Sequence, residues 1–316
     1  MNKGNEQGVR LQGGSKMPII GFGTVNNFYN AEGLELAVET AIKLGYRHFD
    51  TAMIYNSEVA LGRALNKAIN DKIVQREELF VTSKLWCNDH HDPVSAVRQT
   101  LRRLEMEYVD LYLIHFPAKF KPWAPVTEPT EDDFDELDLE STWAAMEKCV
   151  DMGLCKNIGV SNFSSTKIQH ILDYASIIPA VNQVEMHPLW RQKKLREFCA
   201  EHKIHVSAYG PLGGYGTLWG SNCVLDNSLL QSIALKHKAT TAQVALGWGL
   251  SKGVSVIVKS FNEGRIKENM KALTLRLDEE DVAEIERLEE RRLLDGTFLV
   301  NGTTSPYKSL QDLWDE

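Results

Sequence analysis

The stretch YRHFDTAMIYNSE (46–58) begins as a buried β-strand and then changes character. The run Tyr46 to Phe49 ends in a carboxylate, Asp50, and a phenol follows at Tyr55. A strand of this kind has two explanations. Asp50 caps the next helix and Tyr55 packs, or both side chains stand at the end of a parallel strand where chemistry is done.

The rest of the chain repeats the pattern. Short apolar runs occur at PIIGFG (18–23), YRHFD (46–50), LFVTSK (79–84), VDLYLIH (109–115), CKNIGVS (155–161), AVNQVE (180–185), HVSAYG (205–210) and VSVIVKS (254–260). Amphipathic runs lie between them, such as EGLELAVETAIKLG, DPVSAVRQTLRRLEM and KKLREFCAEHK. Several end in Gly or a basic turn, as helix C-termini do. Buried strands alternating with helices imply parallel pairing under a helical layer. Eight such units predict an α/β fold, a (β/α)8 TIM barrel. VRLQGGSKMP predicts an N-terminal β-hairpin turning at Gly13-Gly14. TTAQVALGWGLSKG and LDEEDVAEIERLEERR predict two extra helices, the second capped by Asp278, and a C-terminal loop follows. The expectation is one barrel domain over 1–316, with residues 1–8 a flexible N-terminus.

Composition narrows the partners. The chain has 316 residues, 43% hydrophobic and 25% charged, with a formal net charge of -8. Acidity argues against a nucleic-acid backbone, which needs clustered Lys and Arg. The polar start MNKGNEQGVRLQGGSK has no apolar core of signal-peptide length, and no run is long enough to span a bilayer. The five cysteines are odd in number, scattered and free of Cys-x-x-Cys, which suits a reducing compartment. A cytoplasmic protein without nucleic-acid or membrane partners is expected.

In a parallel barrel the active site forms at the C-terminal ends of the strands. Here those ends carry Asp50, Ser83 and Lys84, His115, Ser161 and Asn162, Gln183 and Glu185, Tyr209, and Lys259 and Ser260. Any one has a dull explanation, but the recurrence in register does not. Asp, Tyr, Lys and His together suggest a reaction. An unperturbed phenol ionises at about pH 10, and a neighbouring cation lowers that value. Lys84 supplies the cation, Asp50 holds Lys84, Tyr55 gives a proton to an oxygen becoming an alkoxide, and His115 orients that oxygen. Such general acid catalysis is worth roughly 10²–10⁴-fold. It is what carbonyl reduction needs beside a hydride donor.

No Gly-x-Gly-x-x-Gly is present, and GFGTVN (21–26) fails at the third glycine. VKSFNEGRIKEN (258–269) instead brings Lys259, Ser260 and Arg265 to the start of a helix, where phosphates bind. Two cations and a hydroxyl suit the 2′-phosphate of NADP. An ordinary helix start with solvated charges is the competing explanation.

At these residues the chain resembles the aldo-keto reductase superfamily. GYRHFDTAMIYNSE, VTSKLW, DLYLIHFP, IGVSNF, VNQVEMHP and IVKSFNEGRIKEN resemble its signature segments in order, from about Val9 to the C-terminus. The resemblance implies a (β/α)8 barrel, NADPH or NADP+ as cofactor, and the catalytic tetrad Asp50, Tyr55, Lys84 and His115. It implies that Tyr209 stacks on the nicotinamide while Ser161, Asn162 and Gln183 hold its carboxamide. Lys259, Ser260 and Arg265 would grip the 2′-phosphate, with Glu268 and Asn269 near the adenine. Thr24, Val25, Asp50 and Leu212 complete the implied cofactor contacts. Substrate contacts fall to Val25, Tyr55, Trp86, His115 and Phe116, and a monomer is implied. LREFCAEHKIHVSAYGPLG, GTLWGSN and SPYKSLQDLW resemble plant reductases of specialised metabolism. The implied activity is NADPH-dependent reduction of a ketone or aldehyde, with an alkaloid or polyketide ketone as substrate.

Three departures matter. Val25 and Phe116 stand where the family often has Trp, which implies a roomier pocket for a bulky or cyclic ketone. Gly210 stands where the family often has serine, which removes a hydroxyl near the pyrophosphate. CNDHHD (87–92) matches no common zinc spacing, and no metal is expected. The acidic segment 128–140 is expected to be a solvated lid segment; a sharper alternative to that plain reading is that its charge draws in cationic substrates. Two rivals stay open: an NADP(H)-binding regulatory or structural subunit, and an enzyme running the same chemistry toward alcohol oxidation.

Overall fold

The computed structural model describes residues 8–25 and 30–315. The chain opens with an antiparallel hairpin, β1 (Gly8–Arg10) and β2 (Lys16–Pro18), pairing Gly8 with Pro18. Its turn runs through Gly13-Gly14 as expected, with Gly14 at φ +84. Gly8, expected in a flexible N-terminus, belongs to this ladder; Met1–Gln7 lie outside the described residues, as does Asn26 of GFGTVN.

Strands and helices then alternate. They are β3 (Ile20–Gly23), α1 (Ala31–Lys43), β4 (His48–Asp50), α2 (Glu58–Asn70), β5 (Phe80–Leu85), α3 (Pro93–Leu104) and β6 (Leu111–Ile114). A long connection carries a small ribbon, β7 (Lys119–Phe120) and β8 (Phe134–Asp135), before α4 (Leu139–Asp151). The series continues with β9 (Ile158–Ser161), α5 (Ser165–Leu172), β10 (Val181–Glu185), α6 (Lys193–Glu201) and β11 (His205–Tyr209). It ends with α7 (Ser228–Lys236), α8 (Thr241–Ser251), β12 (Ser255–Val258), α9 (Glu263–Met270), α10 (Glu279–Ile285) and α11 (Leu310–Trp314). Eight parallel strands close in the order β3-β4-β5-β6-β9-β10-β11-β12, returning to β3. This is the (β/α)8 barrel, and each barrel strand coincides with one of the eight apolar runs. No helix among the described residues is long and apolar enough to cross a membrane.

Local chemistry sets the elements. In α3, Asp92 caps the first turn by accepting from Ser95 N at 3.0 Å, and Pro93 needs no N–H partner at the first helical position. Such a cap is worth about 1 kcal/mol. Ala96, Val97, Leu101 and Leu104 recur at helical spacing and are buried against the barrel. Each buried aliphatic side chain of leucine size contributes about 1.5–3 kcal/mol. The hairpin plugs the bottom of the barrel: Leu11 and Met17 pack on Leu111, Leu113 and Val181. That leaves the opposite, C-terminal mouth of the barrel for a site.

Two sequence expectations need correction. The helix expected through LDEEDVAEIERLEERR stops at Ile285, although Asp278 caps it, accepting from Asp281 N at 2.9 Å. Beyond it Glu286 accepts from Trp248 Nε1 and pairs with Lys252, and Arg191 donates to Leu288 O. Those tertiary bonds take the chain out of helical register. The segment 128–140 is not a wholly solvated lid. Leu139 starts α4, and Phe134 is buried with Phe120, their rings 5.0 Å apart at 83°. Thr303 of the C-terminal segment donates to Glu131.

Candidate active site

The barrel strands aim alternate side chains at the lumen and at the helices. β5 illustrates this. Lys84 points inward and is 1% exposed. Ser83, its neighbour, points outward and donates to Glu58 of α2 at 2.7 Å. Ser83 therefore does not reach the mouth, as its position at a strand end suggested. Glu185 does end β10 on the mouth side, but its carboxylate is taken up by backbone amides of Leu293 and Leu294.

Above the lumen opens a cleft of about 620 Å³. It is lined by every residue nominated above for catalysis, cofactor or substrate except Lys84, which lies buried beneath it. Lys84 Nζ donates to Asp50 Oδ1 at 2.6 Å and to Thr51 O at 3.0 Å. Gln183 Nε2 donates to the other Asp50 oxygen at 2.8 Å. The ammonium lies 4.9 Å from the centre of the Tyr55 ring. The Tyr55 hydroxyl and His115 Nε2 are 3.3 Å apart.

The electrostatics differ from expectation at one point. Burial raises the Tyr55 phenol above its ordinary pKa; Lys84 pulls it down, as charge and as hydrogen-bond partner, without cancelling that rise. The net shift is upward because desolvation of a phenolate outweighs one ammonium already shared with a carboxylate. Burial also opposes charge on Lys84, yet Asp50, Tyr55 and their hydrogen bonds hold its pKa above the usual value. Burial, then Lys84, press His115 well below the ordinary histidine range, so its imidazole is neutral at pH 7.

The next ring of residues is internally bonded. Ser161 Oγ donates to Gln183 O at 2.7 Å, Asn162 Nδ2 to His115 O at 2.9 Å, and the Tyr209 hydroxyl to Asn162 Oδ1 at 2.7 Å. Thr24 is fully buried and ties β3 to β4, donating to Asp50 O at 3.0 Å. At the far end, Lys259 and Ser260 follow β12, and Arg265 lies in the first turn of α9 behind its cap Asn262. Burial, then Arg265, lower the Lys259 pKa. Among the described residues neither cation has a carboxylate partner. Two like charges beside helix N–H groups suit an anion, and these residues would fit a phosphate-bearing nucleotide. Glu268 and Asn269 line the same end, with Glu268 accepting from Thr240 Oγ1 at 2.8 Å.

Sequence reasoning missed part of the wall. Leu294 and Phe298 come from the C-terminal segment, and Tyr215, Trp219 and Leu225 from the connection after β11. Phe298 meets Phe116 edge-on at 5.4 Å, and Phe116 stacks on His115 at 5.4 Å. Trp219 meets Tyr209 edge-on at 5.8 Å. Gly210 has a structural reason: its φ is +58, and a Cβ there would come 2.7 Å from the Trp219 ring. The Trp-bearing segment GTLWGSN was the available signal. The CNDHHD side chains do not converge: His91 bonds Asn88 O, while both ring nitrogens of His90 are buried with no hydrogen-bond partner among the described residues.

Comparison with known proteins agrees with this arrangement. The Aldo/keto reductase family profile matches residues 19–290. Deoxymugineic acid synthase 1-B of Triticum aestivum is 46% identical over 302 residues, 95% of this chain and 96% of that protein. NADPH-dependent codeinone reductase 1-2 of Papaver somniferum is 44% identical over 312 residues, 98% and 97% of the two chains. The 7-acetyl-epi-neemfruitin B aldo-keto reductase of Melia azedarach is 46% identical over 306 residues, 96% and 94%. A parallel eight-stranded barrel with an acid, a phenol, an ammonium and an imidazole at its mouth thus has full-length relatives among plant reductases, and the chain belongs to the aldo/keto reductase family, oxidoreductases of carbonyl groups that use a nicotinamide cofactor.

Proposed function

We propose that this chain is an NADPH-dependent reductase of a bulky or cyclic ketone of plant specialised metabolism, with Tyr55 as the general acid. One observation carries the reading: a buried ammonium, fixed by Asp50, lies under a phenol that shares the cleft with a neutral imidazole. Bound reduced nicotinamide supplies the hydride. Lys259, Ser260 and Arg265 would hold its 2′-phosphate, which favours NADPH over NADH. Ser161, Asn162 and Gln183 would meet the carboxamide, and Tyr209 the ring face.

The chain's own part is proton delivery. The raised pKa keeps the proton on Tyr55 at neutral pH, so the acid is loaded before substrate arrives. As negative charge grows on the carbonyl oxygen, the Tyr55 hydroxyl gives up that proton. Lys84 then stabilises the phenolate left behind, and Asp50 keeps Lys84 charged and oriented. Neutral His115 offers one N–H to the same oxygen and selects its position. The apolar side chains Val25, Trp86, Phe116, Leu294 and Phe298 give a wall that suits a large ketone. The relatives' names refer to three different compounds, so the ketone is sought by a panel.

The test follows NADPH consumption with alkaloid, polyketide and simple aromatic carbonyls, in the wild type and in Tyr55→Phe. Expected are turnover with NADPH in preference to NADH, and a loss of roughly 10²–10⁴-fold in the variant with NADPH binding kept. An inert wild type that binds NADPH would favour the regulatory-subunit reading, and a fully active Tyr55→Phe would remove Tyr55 as the acid.

A further inference from the structure

Glu185 closes β10, two residues beyond Gln183 on the same face of the strand, and is 3% exposed. Its Oε1 accepts from Leu293 N at 2.8 Å and lies 2.9 Å from His187 Nε2. Its Oε2 accepts from Leu294 N at 2.8 Å. Two of these partners are main-chain amides from the segment that follows α10. Charge-assisted bonds of this kind are roughly twice as strong as neutral ones.

That segment builds the substrate side of the cleft. Leu294 lines it directly, and Phe298 lies four residues on, against Phe116. Around the same point the Arg292 guanidinium sits 4.6 Å from the Trp190 ring and 4.0 Å from the Trp314 ring. On the barrel side Glu185 pairs in register with Tyr209. One carboxylate therefore joins the strand end that carries Gln183 to the segment that carries the apolar wall.

We propose that Glu185 is a positioning residue for substrate: through the Leu293 and Leu294 amides it sets Leu294 and Phe298 against the cleft. Large ketones that reach that wall depend on it, and small aldehydes do not. The inference rests on the carbonyl-reductase reading of the cleft. A purely structural role would weaken both substrate classes alike.

Glu185→Gln in the full chain separates the two. Glutamine offers one acceptor oxygen, and its amide group turns a donor toward a backbone N–H. For a polycyclic ketone KM should rise about tenfold or more, the cost of bonds to a charged group. For a small aldehyde KM and kcat should stay at wild-type values, as should NADPH affinity. Hydrogen exchange at the Leu293 and Leu294 amides should quicken. Leu293→Pro, which removes one donor from the tail and leaves β10 untouched, should give the same split in smaller degree. Equal losses for both substrates, unchanged exchange, or fast exchange with an unchanged KM for the large ketone would overturn the proposal. A wild type inert toward every carbonyl would fail the reductase reading, and the substrate role with it. Quickened exchange in Glu185→Gln would then still report the anchor, so the two failures are distinguishable.

Discussion

Glu58 and Asp50 are buried carboxylates that bind alternate side chains of β5, and of the two only Asp50 lines the cleft. Glu58, the first residue of α2, accepts from Ser83 at 2.7 Å and Thr100 at 2.9 Å and pairs with Arg103. Asp50, the last residue of β4, accepts from Lys84 at 2.6 Å and Gln183 at 2.8 Å. Both are almost fully buried, at 1% and 3% exposure, so burial of an acid–cation pair does not mark a site. The difference lies in what the cation has left to offer. Arg103 comes from the helical layer, and it also donates to Thr100 beside it. An ammonium has three donors. Lys84 uses two on Asp50 and Thr51, and its charge lies in the lumen 4.9 Å from the centre of the Tyr55 ring. Strand alternation alone sends Ser83 to the first network and Lys84 to the second.

The largest effect that tests this asymmetry is Lys84→Met. Turnover per folded molecule should fall roughly 10²–10⁴-fold, because the phenolate loses its counter-charge. Asp50 loses its cation too, and breaking a buried pair costs about 3–5 kcal/mol, so a lower melting temperature is expected alongside. NADPH titration by fluorescence should still saturate. Turnover close to wild type would erase the distinction between the two networks.

Glu58→Gln should do the reverse. Bonds to a charged group are worth about 1.5–3 kcal/mol, and chemical denaturation should show a loss of that order. Turnover per folded molecule should not change, since no Glu58 contact reaches the cleft. A variant as stable as wild type but slow would mean that the outward network also serves the chemistry.

The inward network is legible in the sequence and the outward one is not, for a physical reason. Asp50, Lys84, His115 and Gln183 each lie within two residues of the C-terminal end of a strand, and the barrel topology brings strand ends together whatever the helices do. Glu58 and Arg103 lie on helices, and their meeting depends on the packing of α2 on α3, which no local pattern encodes. The C-terminal wall is the same case. Leu294 lies in irregular chain and Phe298 in a single 3-10 turn, Thr297–Leu299, too short to leave a periodic signal; Glu185, over a hundred residues earlier, binds the chain beside them. Strand position alone assigns Ser83 and Glu185 to the mouth; Ser83 turns outward to Glu58, and Glu185, though on the mouth side, has its carboxylate taken up by the Leu293 and Leu294 amides. The direction of the Tyr55 shift escapes a sequence reading because charge is visible in a sequence and desolvation is not.

The smallest expected effect is a null, and it concerns pH. An unperturbed histidine ionises near about 6.5 and a phenol near about 10. His115 is pressed well below its ordinary value by burial and then by Lys84, so lowering the pH from about 8 to about 6 should leave it neutral. Tyr55 is raised above its ordinary value, so raising the pH to about 9 should leave its proton in place. Reduction turnover should therefore be flat across that window. It should fall only at higher pH, where loss of the phenolic proton removes the acid. Alcohol oxidation by the same residues needs the phenolate as base and should rise there instead, with opposite sign. Glu58→Gln should leave this profile superimposable on wild type, because the outward network touches neither group. An inflection near about 6.5 that disappears in His115→Asn would show that imidazole titrating. The neutral-imidazole role would then have to be replaced by one in which a charged His115 competes with Tyr55 for the oxygen.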